Sequence, residues 1–169
     1  MVKIGSGCPG QNTAFLKDFK TNVVPCPKCG QEAEFFADER KVKCPRCKAN
    51  IFKVNPQVIK YDNGTLTFNE TDKSCLDWCG GCLNKNDYQD IDENNKRIEV
   101  KKEDFKQLIT SVSSKDDEVV DFFIKAFKKS INSLKLIDDK IFDALSEKNP
   151  DLFVKVRNYY LDFLNGWKS

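Results

Sequence analysis

The chain has 169 residues, of which 40% are hydrophobic and 32% are charged, and 28 Lys and Arg against 26 Asp and Glu leave a formal net charge of +2. These values are typical of a globular protein, and they exclude a chain that is disordered or strongly basic throughout. Eight cysteines and no histidine are present, which excludes Ser-His-Asp and Cys-His catalysis and any histidine-ligated zinc within this chain. We therefore assign no catalytic residue and favour a role other than that of an enzyme.

The first residues carry no targeting signal that we can identify. They lack the apolar stretch of a signal peptide, and no apolar run along the chain approaches the ~18 residues of a membrane helix. We therefore expect a cytoplasmic protein with no membrane partner. In that reducing compartment, closely spaced cysteines indicate metal binding before disulfides.

Cysteine and proline are distributed unevenly along the chain. All eight cysteines lie between Cys8 and Cys82, and five of the six prolines lie before residue 57. This asymmetry predicts an α+β protein with two domains. Residues 1–95 form a cysteine-rich metal-binding domain, and residues 96–169 form a helical domain with an ordinary apolar core.

The N-terminal half is expected to consist of short strands and turns. Residues 33–36 and 41–43 flank a polar turn at 38–40, which indicates a first hairpin. Asn63-Gly64 lies between two alternating segments, and this dipeptide is typical of the type I′ turn of a second hairpin. The polar, Asn- and Asp-rich residues 87–96 predict a loop, and residues 97–100 predict one short strand.

The C-terminal part is expected to contain three or four packed helices. Apolar side chains recur there with helical spacing, and their stripes are best explained by core packing. They are Phe105, Leu108, Ile109 and Val112; Val119, Val120, Phe123, Phe127 and Ile131; Leu134, Ile137, Ile141 and Leu145; and Leu152, Phe153, Val156, Tyr159, Tyr160, Phe163 and Leu164. Asn149-Pro150 indicates the start of the last helix, and Asn165-Gly166 indicates its end.

The strongest chemical signal is a pair of Cys-x-x-Cys motifs. Cys26 and Cys29 are followed after fourteen residues by Cys44 and Cys47. Four soft thiolates at this spacing predict a zinc ribbon over residues 20–56, with one tetrahedral ion. Zn²⁺ is favoured, although a rubredoxin-like iron site has the same geometry. Such a saturated site stabilises the fold and has no open position for catalysis.

Three further cysteines lie close together near the end of the cysteine-rich half. Cys75, Cys79 and Cys82 require a fourth ligand, and Cys8 is the one cysteine that remains. We predict that these four form a second centre, which holds either a 4Fe–4S cluster or a second Zn²⁺. The alternative is that they are free thiols, which behave as small apolar side chains.

Basic side chains follow the first cysteine pair. Residues 20–60 carry nine Lys and Arg against four Asp and Glu, a net charge of +5. The candidates for phosphate or partner contacts are Arg40, Lys41, Lys43, Arg46 and Lys48. A zinc tetrathiolate carries a charge of about −2 and offsets part of this excess, so we favour solvated surface charge over nucleic-acid binding.

The order of these motifs resembles that of a family of poorly characterised, cysteine-rich bacterial proteins found largely in anaerobes. The resemblance covers residues 8–82 and rests on Cys8-Pro9-Gly10-Gln11, Cys26-Pro27-Lys28-Cys29-Gly30, Glu34-Phe35-Phe36 with Asp38, Cys44 and Cys47, Asn55-Pro56, and Trp78-Cys79. It implies a zinc-ribbon block that closes with a cysteine cluster. Some relatives join this block to an HD-type phosphohydrolase domain, but that activity requires histidine and does not carry over to this sequence.

These patterns lead to one functional expectation and two alternatives. We expect a metal-binding adaptor or regulatory protein that acts through contacts with a protein partner. The first alternative is an iron–sulfur redox or sensor protein that uses the second centre. The second alternative is a nucleic-acid-binding regulator that uses the basic ribbon.

Overall fold

The computed structural model describes residues 21–36, 39–53, 57–62, 64–70, 83–112 and 116–166. Within these ranges the protein has an α+β architecture of six short strands, paired as three antiparallel hairpins, and four helices. The strands are β1 (Asn22–Pro25), β2 (Glu32–Phe35), β3 (Lys41–Lys43), β4 (Asn50–Phe52), β5 (Gln57–Asp62) and β6 (Thr65–Glu70). The helices are α1 (Lys85–Ser111), α2 (Asp117–Ser130), α3 (Asp139–Lys148) and α4 (Pro150–Gly166).

The first two hairpins each enclose one Cys-x-x-Cys motif. β1 pairs with β2, and β3 pairs with β4. The predicted pairing of residues 33–36 with 41–43 is therefore wrong. The turn at each cysteine pair brings its own flanking strands together, since Cys26 N donates to the Gln31 carbonyl at 2.8 Å and Cys44 N donates to the Ala49 carbonyl at 2.8 Å. We call residues 21–53 the knuckle module.

The third hairpin confirms the Asn-Gly prediction and belongs to the helical core. Asp62 pairs with Thr65, so the turn has two residues, and Gly64 takes the positive φ of 80° that such a turn requires. The Phe68 ring contacts the rings of Phe105 and Phe127 edge-on, with centroid distances of 6.3 and 5.9 Å. The hairpin therefore covers part of the apolar core that α1 and α2 form.

Helix α1 replaces the predicted loop at 87–96 and the predicted strand at 97–100, both of which are wrong. Asn84 and Asp87 form a capping box, in which the Asn84 side chain accepts from the Asp87 amide and the Asp87 side chain accepts from the Asn84 amide. Before Ile98, the one buried side chain of α1 is Asp87. This half of the helix therefore shows no apolar period. The predicted boundary between residues 95 and 96 lies inside α1.

Helices α2 and α4 follow the predicted stripes, whereas Leu134 and Ile137 of the third predicted stripe lie before α3, and Leu134 is exposed. Helix α4 starts at Pro150, and Leu152 N donates to the Asn149 side chain at 3.1 Å, as expected of an N-cap. Helix α3 starts only at Asp139, because the side chain of Asp138 caps it by accepting from the Lys140 amide. None of the described helices combines the length and the apolar character needed to cross a membrane.

The knuckle module and the helices have separate apolar clusters. The module cluster comprises the buried residues Cys26, Ala33, Phe35, Cys44 and Ile51. The helical cluster comprises residues of all four helices together with Ile59 of the third hairpin. Polar contacts join the two halves, among them those of Asp87 and the ion pairs Lys28–Asp90 and Lys140–Glu32.

Asp87 lies at the junction and is fully buried. Its carboxylate accepts from Lys41 Nζ at 2.7 Å and from Asn50 Nδ2 at 3.1 Å, both in the knuckle module. The hydrogen bond from the Asn84 amide, followed by that from Lys41, lowers the pKa of this carboxyl group. Asp87 therefore caps α1 and fixes the module on the helix with the same side chain.

Candidate metal centre

The two cysteine turns of the knuckle module are structural repeats of each other. Gly30 N donates to the Cys26 carbonyl at 2.9 Å, and Lys48 N donates to the Cys44 carbonyl at 3.1 Å. Within each turn an amide approaches the first sulfur, since Lys28 N lies 3.4 Å from Cys26 Sγ and Cys47 N lies 3.5 Å from Cys44 Sγ. Such N–H···S contacts offset thiolate charge and orient the sulfurs.

The four predicted ligands of the first site converge. The Sγ atoms of Cys26, Cys29, Cys44 and Cys47 all lie within 4.8 Å of one another. Cys26 and Cys47 are 3.6 Å apart, as are Cys29 and Cys44. A tetrahedral ion with metal–sulfur bonds of about 2.3 Å separates its sulfurs by about 3.8 Å. The four cysteines therefore fit one metal ion, and their sulfurs lie too close together for a cubane cluster.

Burial and backbone amides act on the thiols in opposite directions. Burial raises the pKa of Cys26 to about 12, against the hydrogen bonds from the amides of Lys28 and Cys29. At Cys44 burial also opposes the thiolate, but hydrogen bonds from the amides of Cys47 and Arg46 and from the side chains of Cys29 and Cys47 together lower the pKa to about 6. Four thiolates together therefore need the positive charge of a cation, and binding of that cation releases protons.

The site is enclosed on one side and open to water on the other. Cys26 and Cys44 are fully buried, Cys29 is half-buried and Cys47 is exposed. Among the described residues, these cysteines are the one group of three or more Cys, Asp or Glu side chains close enough to share an ion. Four protein sulfurs saturate a tetrahedral ion, so the arrangement suits a structural role.

The second predicted centre lies outside the described residues. Cys8, Cys75, Cys79 and Cys82 all fall in the ranges that the structure does not describe. Their convergence on a 4Fe–4S cluster or a second Zn²⁺ therefore stays a prediction.

The five basic candidates have different surroundings. Lys41 is paired with Asp87 at the junction, and Arg40 is half-buried. Lys43, Arg46 and Lys48 are exposed on the knuckle module, where Lys48 Nζ also donates to the Pro45 carbonyl at 2.9 Å. The exposed basic surface is therefore smaller than the sequence indicated, because one of its cations holds the two halves together.

Asp87 and Asn50 position the module on α1, and neither is among the residues that the sequence patterns predict. A local pattern indicates the role of Asp87. An Asn followed three positions later by an acidic residue, as in Asn84 and Asp87, is typical of a capping box. No local pattern indicates the role of Asn50, since its partners Asp87 and Asp90 lie more than thirty positions away in the sequence.

The repeated turns differ at the residue that takes a positive φ. This residue is Gly30 in the first turn, with φ 74°, and Lys48 in the second, with φ 60°. We expect Lys48→Gly to raise the free energy of unfolding of the metal-loaded module by about 0.5–1 kcal/mol, since glycine adopts this conformation without steric cost. Gly30→Ala is expected to lower it by about 1 kcal/mol. Denaturant unfolding of the metal-loaded protein measures both changes.

Lys48→Ala is the control, because it removes the same charge and hydrogen bond while it keeps a Cβ. If Lys48→Gly and Lys48→Ala were equally stable, the positive φ at position 48 would not cost free energy, and the prediction would be wrong.

Comparisons with protein-family models, with curated proteins and with solved structures find no match. The family resemblance seen in the sequence therefore stays a prediction.

Proposed function

We propose that this chain is a zinc-ribbon adaptor of the cytoplasm. In this proposal Cys26, Cys29, Cys44 and Cys47 hold one Zn²⁺, and the ion stabilises the knuckle module on a helical body that binds a protein partner. The observation that carries the proposal is the closed set of four sulfurs within 4.8 Å of one another. Thiolates in a tetrahedral set favour zinc, and a saturated zinc site supplies folding free energy.

The composition of the knuckle module supports a structural role for the ion. Its buried cluster contains five residues, two of which are the ligands Cys26 and Cys44. A core this small does not offset the entropy of ordering the chain without a metal or a disulfide. The bound ion therefore determines whether the module is folded and able to present a surface.

Metal analysis and cobalt substitution test the site. We expect protein purified without oxygen to contain zinc, and Co²⁺-substituted protein to show a tetrahedral tetrathiolate spectrum that added azide or cyanide does not change. A spectral change with these ligands would reveal an open coordination position and overturn the structural role. A brown protein that contains iron and sulfide would favour the redox or sensor alternative at the second cysteine group.

Cross-linking in cells tests the contact with a protein. A tagged, metal-loaded chain is expected to be joined reproducibly to the same partner polypeptide. Recovery of nucleic acid, with salt-sensitive binding lost on replacing Lys43, Arg46 and Lys48 by alanine, would support the nucleic-acid alternative instead. If neither a partner polypeptide nor nucleic acid is recovered, the adaptor proposal is overturned.

A further inference from the structure

A cavity of about 160 Å³ lies where the knuckle module meets helix α1. The module lines it with residues of the first cysteine turn and of β4, helix α1 lines it with four polar or charged side chains, and Asn132 lines it from just beyond the end of α2. Sites for drug-sized molecules have volumes of about 300–1,000 Å³. A ligand of this cavity would therefore be a small molecule, and it would contact both halves of the protein.

Charges of both signs line the cavity. Helix α1 contributes one face, because the lining residues follow one another at intervals of three, one and three positions; they are Asp90, Glu93, Asn94 and Arg97. The module contributes Lys28, whose Nζ lies 3.7 Å from Asp90 Oδ1. The cavity therefore holds two cations and two carboxylates, of which Lys28 and Asp90 form an ion pair with each other.

The other two charges lack a partner of opposite sign. The Arg97 guanidinium donates to the Ser133 carbonyl at 3.0 Å and to Asn94 Oδ1 at 2.8 Å, both of which are neutral. Its buried Nε has no acceptor in the described part of the chain. Among the described residues, the Glu93 carboxylate and the Asn132 amide have no hydrogen-bond partner. Glu93 and Arg97 are neighbours on α1, but within the described structure they form no ion pair with each other.

We propose that this cavity binds a small zwitterion, a free α-amino acid. The carboxylate of the ligand would lie at the guanidinium of Arg97, and its ammonium group would lie at the carboxylate of Glu93. Asn132 would supply a further hydrogen bond. The inference goes beyond the proposed adaptor function, because it gives the junction a ligand of its own. Since the ligand would contact both the module and α1, its binding would stabilise their association.

The same charges argue against other small ligands. A metal cation or a simple amine would meet the guanidinium of Arg97, and a phosphate or a simple carboxylate would meet the carboxylate of Glu93. A neutral apolar molecule would cover both charges without pairing either, which costs free energy. An α-amino acid pairs both. The apolar side chains of Ile51 and Phe52 also line the cavity, so a small apolar amino acid such as alanine or valine fits best.

Titration of the full metal-loaded chain with each of the standard L-amino acids, followed by amide NMR spectra, tests the proposal. We expect alanine or valine to bind with a dissociation constant below about 1 mM and to shift the amide signals of Ile51 and Asn132. Propionate and ethylamine, which each keep one of the two charges of alanine, are expected to bind at least about tenfold more weakly.

Two variants locate the charges that bind the ligand. Glu93→Gln keeps the shape of an exposed side chain, removes its charge, and is expected to weaken binding about tenfold. Arg97→Met is expected to weaken it at least as much, but Arg97 also donates to the Ser133 carbonyl, so Glu93→Gln decides the test if Arg97→Met does not fold. Glu99→Gln is the matched control, because Glu99 lies on the same helix, has a side chain that is 68% exposed and does not line the cavity. It should bind as the unmodified chain does.

Three results would overturn the proposal: no binding by any of the amino acids, binding of propionate or ethylamine as tight as that of alanine, or unchanged binding by Glu93→Gln. Metal content measured on the same samples separates this inference from the adaptor proposal. If the metal-loaded chain binds none of the amino acids, the cavity site is wrong and the adaptor proposal stands. If the chain binds alanine equally well after a chelator has removed the metal, the cavity site stands and the structural role proposed for the ion is wrong.

Discussion

Cys44→Ser is expected to remove one metal ion per chain and to unfold the knuckle module. Cys44 is fully buried and belongs to the small cluster that forms the core of the module. A serine hydroxyl is a poor ligand for a thiolate-binding metal and adds a buried polar group. We expect the apparent affinity for zinc to fall at least about a hundredfold.

Metal content measured by mass spectrometry and amide hydrogen exchange over residues 21–53 provide the readouts. Arg46→Ser is the matched control, because Arg46 lies in the same turn, is exposed and is not a ligand. It should keep its metal and its protected amides. Unchanged metal content and unchanged exchange in Cys44→Ser would refute the assignment of the site.

Lys101→Met is expected to destabilise the helical body by about 2–3 kcal/mol. Lys101 is 6% exposed, and its Nζ donates to the carbonyls of Ser130 at 2.6 Å and Ser133 at 2.8 Å. These carbonyls lie at and just beyond the end of α2, where intrahelical donors are missing. Methionine retains much of the volume of lysine but leaves these buried acceptors without their donor.

The adjacent Lys102→Met is a close control. Lys102 is 9% exposed, but its Nζ donates to Glu99, whose side chain is 68% exposed. Its loss is expected to cost less than about 1 kcal/mol, as for a surface ion pair. Denaturant unfolding followed by circular dichroism compares the two variants. Equal losses would show that the end of α2 does not depend on hydrogen bonds from Lys101.

The cost of Lys101→Met is also expected to depend on pH. Burial and the nearby Arg97 guanidinium lower the pKa of Lys101 to about 7, while Asp138 acts in the opposite direction. Between this pKa and the ordinary value of 10.5 the unfolded chain holds more protons, so the unmodified protein gains stability as the pH rises. The stability difference between the two proteins should therefore grow by about 2–3 kcal/mol between about pH 6 and about pH 9. A difference that shrinks over this interval would contradict the lowered pKa.

Features that depend on a few neighbouring residues could be predicted from the sequence. The spacing of Cys26, Cys29, Cys44 and Cys47 predicted their convergence, because each pair needs only a short turn to aim both sulfurs at one point. Asn63-Gly64 predicted a hairpin and Asn149-Pro150 predicted a helix start, since the backbone conformations they favour are local.

Features that depend on distant partners could not be predicted. The first half of α1 packs through Asp87 and not through an apolar stripe, so its sequence has no helical period of apolar residues, and its polar residues predict a loop. The strands around the cysteines have three or four residues each. Such short strands do not specify their own partner, and the turns at Cys26 and Cys44 decided the pairing instead.

The polar junction at Asp87 has a consequence for how the molecule unfolds. Cooperative unfolding requires that the loss of one part destabilises the other by several kcal/mol, and shared apolar burial is the usual source of such coupling. The two apolar clusters of this protein are separate, and the contacts that join the two halves include three ion pairs, Lys41–Asp87, Lys28–Asp90 and Lys140–Glu32, and the hydrogen bonds of Asn50. The protein should therefore melt in two transitions, only one of which moves with the concentration of free metal.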